Sequence, residues 1–533
     1  MKSNFVLSLF ALGLSLGLLQ PAVAEPALIP KPQLLEEKEG TFTWNPGAGI
    51  EAPPEAAAQA GLLRECFGPL VGAEARNAPI AFRRDDALAG EEYDVAITPQ
   101  GIVLAAAGPV GWAHGIATLR QLAPPERLGT PGDAAPVVLP CLHLHDAPRF
   151  AWRGLMLDVT VRFSTKEEVE KFIDLLSLYK MNVFHWHLTD DPGWRLEIKK
   201  YPKLTELGAW RMEKGERYGG FYTQDDARAV VAYAAARGVT VVPEIDMPSH
   251  AEAIVASYPE YSTKGGEPRT MVGQDRTDVL SPAKEETYAF LDDVLGEVAD
   301  IFPSPYLHIG GDELDLKYWN DSPECQAFMK SHHMANAEGL RNYFMRRVQK
   351  IVEAKGRKMA AWQEALYGGP LPGVLIMGWR YYGGVGLDDA QTNQVVETPQ
   401  NPLYFDFPYT QNTVEKVYKY HPLTNDPLTK NLTSTQVKNV IGIQANMWSW
   451  IAHSPAELQA YIFPRLCALA ENAWSDPAAQ DVPDFLARAK VALQQMEALG
   501  VSCDKLGVEQ ILDPEAARKK ETGDGSIPLP GRK

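Results

Sequence analysis

The chain has 533 residues, of which 45% are hydrophobic and 22% charged, and it carries a formal net charge of −17. That length calls for two or more domains and buries a large core without staples. The acidic balance disfavours nucleic acid and anionic membrane as partners, since both are held through basic patches. Five scattered cysteines without CxxC spacing point to neither a zinc knuckle nor a disulfide scaffold.

Residues 1–24 have the pattern of a secretory signal: Lys2, an apolar run from Phe5 to Leu19, then Ala22-Val23-Ala24 before Glu25. The expected mature protein is exported, periplasmic or extracellular. No later stretch approaches the roughly 20 apolar residues of a membrane span. Residues 25–147 mix short alternating β-like runs, such as Tyr93 to Ile97, with one helical pattern in GWAHGIATLRQL, and are expected to form a small α+β domain.

From Arg153 onward strand-like and helix-like segments alternate, the pattern of a parallel α/β sheet. Eight strands are expected, at 154–158, 182–188, 240–245, 306–310, 358–362, 374–379, 402–406 and 441–447. Ser164 with Glu167 is expected to form a capping box, Ser281-Pro282 to open a helix, and Gly238 and Gly356 to end two others. Eight βα units make a TIM (β/α)8 barrel over residues 148–480 the economical fold. One amphipathic helical segment is expected over 481–512, and a loose tail over 513–533.

The stretch YLHIGGDELD, residues 306–315, ends the fourth strand with two glycines and the adjacent carboxylates Asp312 and Glu313. In a parallel barrel the loops after the strands' C-terminal ends form the mouth of the site. The other strand ends carry HWHLTDDPGW, PEIDMPSH, AAWQEA, GWR, YFD and ANMWSW. Trp362, Trp379 and Trp448, with Asp190, His250, Asp312, Glu313 and Asp406 among them, suit a carbohydrate, whose C–H faces stack on indoles while its hydroxyls take polar partners. Neighbouring residues on a strand point to opposite sides, so Asp312 and Glu313 share a pocket only if Gly310-Gly311 re-aims the backbone.

RGLMLD, NVFHWHLTDD, PEIDMPSH, HIGGDE, WQE, GWR and FPRLCALAENAWS resemble, in order, the motifs of the family 20 glycoside hydrolases, the β-N-acetylhexosaminidases. The resemblance spans nearly the whole chain after residue 24. It implies a substrate-assisted, retaining reaction in which the 2-acetamido oxygen attacks the anomeric carbon and no cofactor or metal takes part. It implies Glu313 as general acid and base, Asp312 as partner of the acetamido N–H, Tyr404 as partner of its carbonyl, and Asp190 with His250 as the pair that orients the acid. The partner so implied is a glycan with a terminal or substituted β-linked N-acetylhexosamine.

The chain departs from the family's pattern twice. Val161 stands where the resemblance calls for a sugar-binding Arg, with Arg162 one residue later, and Trp450 stands where it calls for a Glu. These departures lead to an alternative expectation: a substituted N-acetylhexosamine, with lacto-N-biose release as the specific variant. Arg162, Asp406 and Trp450 are therefore carried as substrate-binding candidates alongside Trp362, Trp379 and Trp448. His185-Trp186-His187, with His250, His308 and Asp312, offers a metal-dependent hydrolase as a competing reading, and a catalytically silent glycan-binding protein is a third.

Overall fold

The structure, a computed structural model, describes residues 26–45, 48–67, 79–128, 135–274, 276–380, 389–423 and 432–521. The expected leader at 1–24 and the last twelve residues of the expected tail lie outside them.

In the N-terminal domain a six-stranded mixed sheet runs in the order Leu34–Trp44, Val137–Asp146, Tyr93–Thr98, Gly101–Ala106, Ile80–Arg84, Ile50–Glu51. The alternation seen around Tyr93 is realised, with Tyr93, Val95 and Ile97 buried and the residues between them half-buried. Trp44, Phe82, Leu104, Trp112 and Leu119 fill the core between the sheet and the helices Ala57–Phe67 and Pro109–Leu122. Trp474, the last residue of the helix Arg465–Trp474 that follows the barrel strands, completes this core and donates its indole N–H to Asp146 at 2.8 Å. Asp146 also meets Lys180 at 3.1 Å, both side chains fully buried.

Eight parallel strands close the second domain: β1 Trp152–Asp158, β2 Val183–Asp190, β3 Thr240–Ile245, β4 Tyr306–His308, β5 Lys358–Trp362, β6 Leu375–Gly378, β7 Val395–Glu397 and β8 Val440–Met447. Each pairs with the next, and β8 pairs with β1, so no edge remains open. The strands are buried along nearly their whole length, as a barrel covered by helices requires.

The expected seventh strand at 402–406 is corrected. β7 is the three-residue Val395–Glu397, and residues 402–406 follow it as a short helical turn and loop in which Tyr404 forms one isolated bridge to Asn446. The aromatic YFDF run has strand propensity, but a strand so short leaves no periodic signal of its own. The first barrel helix is capped by Thr165 and Glu168, one residue beyond the expected pair, and the helix expected at Ser281 begins at Glu285. Gly238 and Gly356 do take the left-handed conformation past their helices, at φ +73° and +71°. The C-terminal segment holds two helices, Val482–Ala498 and Lys505–Leu512, and the expected loose tail is helical over Pro514–Glu521, where Arg518 donates to Glu415 at 2.8 Å. All five cysteines are unpaired. Among the described residues no helix is long and apolar enough to cross a membrane.

Candidate active site

β4 ends at His308, and the chain then turns through Gly310 at φ +66° and Gly311 at φ +96°. No side chain fits on Gly310, because its Cβ would fall 1.6 Å from Asp246 Oδ1. The turn brings the two neighbouring carboxylates to one imidazole: His250 Nε2 lies 3.7 Å from Asp312 Oδ2 and 3.6 Å from Glu313 Oε2. Glu313 and His250 are themselves left-handed, at φ +45° and +50°. Non-glycine residues persist there only when their surroundings over-determine them. The Glu313 carbonyl is held accordingly, accepting from Arg276 Nη1 at 2.9 Å and from Ser249 Oγ at 3.3 Å.

The other nitrogen of His250, Nδ1, is 2.7 Å from Asp190 Oδ1. Burial works against a charged His250, but Asp190, Asp312 and Asp246 outweigh it and hold the ring protonated well above its usual range. Burial would likewise raise Asp190, yet His250 and His187 keep it well below the usual carboxylate range. Asp312 goes the other way: burial pushes its carboxyl up to about 7, with Glu364, Glu313 and Glu244 adding to the rise and His250 opposing it. Its Oδ1 is buried and has no hydrogen-bond partner among the described residues.

An aromatic group sits at the ends of β5, β6 and β8. Trp379 lies nearly parallel to Tyr404, at 6.0 Å between centroids and 18°, and donates its indole N–H to Glu364 at 2.7 Å. Trp448 packs against Tyr404 and Trp362 at 6.4 and 6.2 Å. Trp362 is 1% exposed and donates to Glu244 at 2.8 Å, so it is the floor of the group rather than an open wall. Trp450 is 42% exposed and donates to Asp406 Oδ2 at 2.9 Å.

Arg162 is the candidate that the structure spends elsewhere. Its guanidinium donates to the Ala452 carbonyl at 3.2 Å, pairs with Glu213 at 3.4 Å and covers the Tyr218 ring. The carbonyls of the loop that holds it are taken by two fully buried arginines. Arg195 donates to Val159 and Thr160, and Arg211 to Val161.

Several sets of His and carboxylate atoms come within 4.8 Å of one another, among them Asp190–Asp191–His250 and His185–Glu244–His308. In the first, Arg276 supplies the positive charge, 2.9 Å from Asp191 Oδ2. In the second, the ring nitrogens face Glu244 directly at 2.9 and 3.0 Å. Neither requires a cation to explain it. His185, His187 and His308 therefore belong to a layer under the site, and not to one set with His250 and Asp312.

Residues 150–477 match the catalytic domain of glycosyl hydrolase family 20, and residues 25–147 match domain 2 of the same family. The chain belongs to glycosyl hydrolase family 20. It is 35% identical over 497 residues to the β-hexosaminidase of Porphyromonas gingivalis, covering 89% of this chain and 64% of that one, and so spans just under two thirds of that relative's length. A second relative, the β-hexosaminidase of Vibrio furnissii, is 35% identical over 83% of this chain and 76% of its own. Among solved structures, the exo β-N-acetylglucosaminidase of Vibrio harveyi in complex with N-acetylglucosamine superposes with a TM-score of 0.80 at 32% identity, over 90% of this chain and 78% of that one.

Within this family 20 chain, sequence reasoning passed over Arg276, Glu244 and Glu364. Glu244 stands inside the motif PEIDMPSH and Glu364 inside WQE, so their motifs were visible and their roles were not. Arg276 carries no local signal: it reaches Asp191, His250 and Glu313 from a loop.

Proposed function

We propose that this protein removes β-linked N-acetylhexosamine from glycans by a retaining, substrate-assisted reaction. The acetamido oxygen attacks the anomeric carbon while Glu313 protonates the departing oxygen. Glu313, now ionised, takes a proton from the water that opens the oxazolinium ring, so the configuration is retained overall. Asp312 accepts the acetamido N–H and Tyr404 donates to its carbonyl oxygen, both stabilising charge that develops only as the ring closes.

The observation that carries this reading is Asp312. It is buried, one oxygen has no hydrogen-bond partner among the described residues, and it shares an imidazole nitrogen with its chain neighbour Glu313. Neighbours that both approach one nitrogen are poorly placed to flank a sugar ring from opposite faces, as a two-carboxylate mechanism demands. Glu313→Gln tests it. Activity should fall by about 10²–10⁴-fold on substrates with poor leaving groups and far less on activated phenols, because only the former need protonation. Equal losses on both, or a covalent glycosyl adduct on any carboxylate, would refute the assignment.

A second reading, that the sugar accepted is substituted, is favoured by Trp450. Its indole occupies one oxygen of Asp406 and leaves 42% of the residue exposed for stacking. Comparing kcat/KM on plain and substituted aryl glycosides separates the two. We also propose export through residues 1–24. A mature N-terminus near Glu25, read by mass spectrometry, supports it, and an intact leader on the active protein argues against it.

A further inference from the structure

Under the catalytic pair lies a buried charge that the acetamido chemistry does not use. Glu244, on β3, is fully buried, and its two oxygens face four nitrogens. Oε1 accepts from Trp362 at 2.8 Å and lies 2.9 Å from His308 Nδ1; Oε2 lies 2.6 Å from His187 Nδ1 and 3.0 Å from His185 Nε2. Of these neighbours, His187 leads back to the site. Its Nε2 is 3.3 Å from Asp190 Oδ2, and Asp190 Oδ1 meets His250, whose far nitrogen faces Asp312 and Glu313.

An imidazole with a carboxylate at each nitrogen donates to both only when both nitrogens carry protons; a neutral ring turns a lone pair toward one anion. His187 meets that condition at both nitrogens and His250 at Nδ1, with the catalytic carboxylates at ion-pair distance from its Nε2, so charges alternate along the string: Glu244, His187, Asp190, His250, then the catalytic carboxylates. We propose that Glu244 is a positioning residue for the reaction, acting through His187 and Asp190 to hold the His250 ring in place against Asp312 and Glu313. This rests on the catalytic reading of Asp312 and Glu313.

Other charges face the string from neighbouring elements. Asp246 comes within 4.8 Å of both Glu244 and His187, and likewise of His250 and Asp312. Asp191 and Arg276 flank His250, His185 and His308 flank Glu244, and Glu364 acts on Asp312. Their combined effect agrees with the geometry. Despite burial, His187 is held protonated well above its usual range by Glu244 and Asp190, and Glu244 is held ionised by His187, His308 and His185.

A Glu244 that merely satisfied buried N–H groups would, on removal, lower activity equally at every pH. The proposed role predicts more. In Glu244→Gln, His187 loses the anion that outweighs its burial and gives up a proton, and Asp190 then loses a positive neighbour. The field at His250 becomes more negative and its ionisation moves to higher pH, whereas Asp312 also loses the direct repulsion of Glu244, which acts the opposite way.

We expect kcat to fall about 10–100-fold with KM changed less than about threefold, and the limb of the kcat/KM profile that His250 sets to move alkaline by about half a pH unit or more. In a His187→Gln background, Glu244→Gln should add no further displacement. A folded Glu244→Gln enzyme in which that limb stays in place overturns the proposal. Should the variant not fold, ¹⁵N-histidine NMR of the wild-type enzyme at pH 8 decides: at least two of the eleven histidines must be doubly protonated, and one or none overturns it. That spectrum needs no substrate, whereas failure of the catalytic reading shows separately, as a wild-type enzyme inactive on every aryl N-acetylhexosaminide.

Discussion

Replacing Asp312 by Asn removes an ionisable group from a site where ionisation is costly, and the structure sets the sign and size of the effect. Burial and neighbouring carboxylates push its pKa from 3.8 up to about 7. A group raised in this way binds its proton more tightly folded than unfolded, so wild-type stability declines as pH rises through 3.8 and the decline is complete near 7. The full difference is about 4 kcal/mol at 1.36 kcal/mol per pH unit, and an amide that must satisfy its own N–H groups recovers roughly half of it. Asp312→Asn should therefore be more stable than wild type by roughly 2 kcal/mol at pH 8, and because wild type regains about 4 kcal/mol on acidification, the gain should pass through zero and become a deficit of roughly 2 kcal/mol toward pH 4. Activity moves the opposite way. Losing the charged acceptor for the acetamido N–H should cost about 10²–10³-fold in kcat/KM. An acidic limb near the raised Asp312 pKa is the expectation for wild type, and it should be absent from the variant. Urea unfolding at a series of pH values, beside kcat/KM profiles for both enzymes, measures all three. A variant no more stable than wild type at pH 8, or a gain that persists unchanged to pH 4, would show that Asp312 does not carry this strain.

Gly310→Ala places a methyl 1.6 Å from Asp246 Oδ1 at φ +66°, and should cost about 2–4 kcal/mol of stability together with most activity, since the turn that unites Asp312 and Glu313 must shift. Thermal melts and kcat would check this, and an alanine enzyme of wild-type activity would mean the turn is not needed. If Trp450 sets specificity, Trp450→Glu should raise kcat/KM on plain N-acetylglucosaminides by about tenfold and lower it on substituted ones, one charged partner being worth about 1.5–3 kcal/mol. A hundredfold preference for plain sugar in wild type, unchanged in the variant, would leave Trp450 without that role.

Features that repeat locally or sit in one run of residues were legible in the chain before any folding was known. The βα alternation from Arg153 made the barrel readable, because a buried parallel strand and an amphipathic helix each leave a periodic trace. YLHIGGDELD showed its own logic: glycines able to turn left-handed, then two carboxylates, as found at Gly310, Gly311, Asp312 and Glu313. Three residues of β7 were too few to carry a period, and the aromatic run at 402–406 took their place in the reading. Which charges meet was settled only by the folded chain. Glu244 and His187 are 57 residues apart, His250 and Asp190 are 60 apart, and Arg276 reaches Glu313 across 37. Folding also turns Arg162 to Ala452 and Glu213, and Trp450 to Asp406. Such pairings follow from barrel closure, which brings strand ends together whatever their separation in the chain, and ionisation in the buried site follows from the pairings.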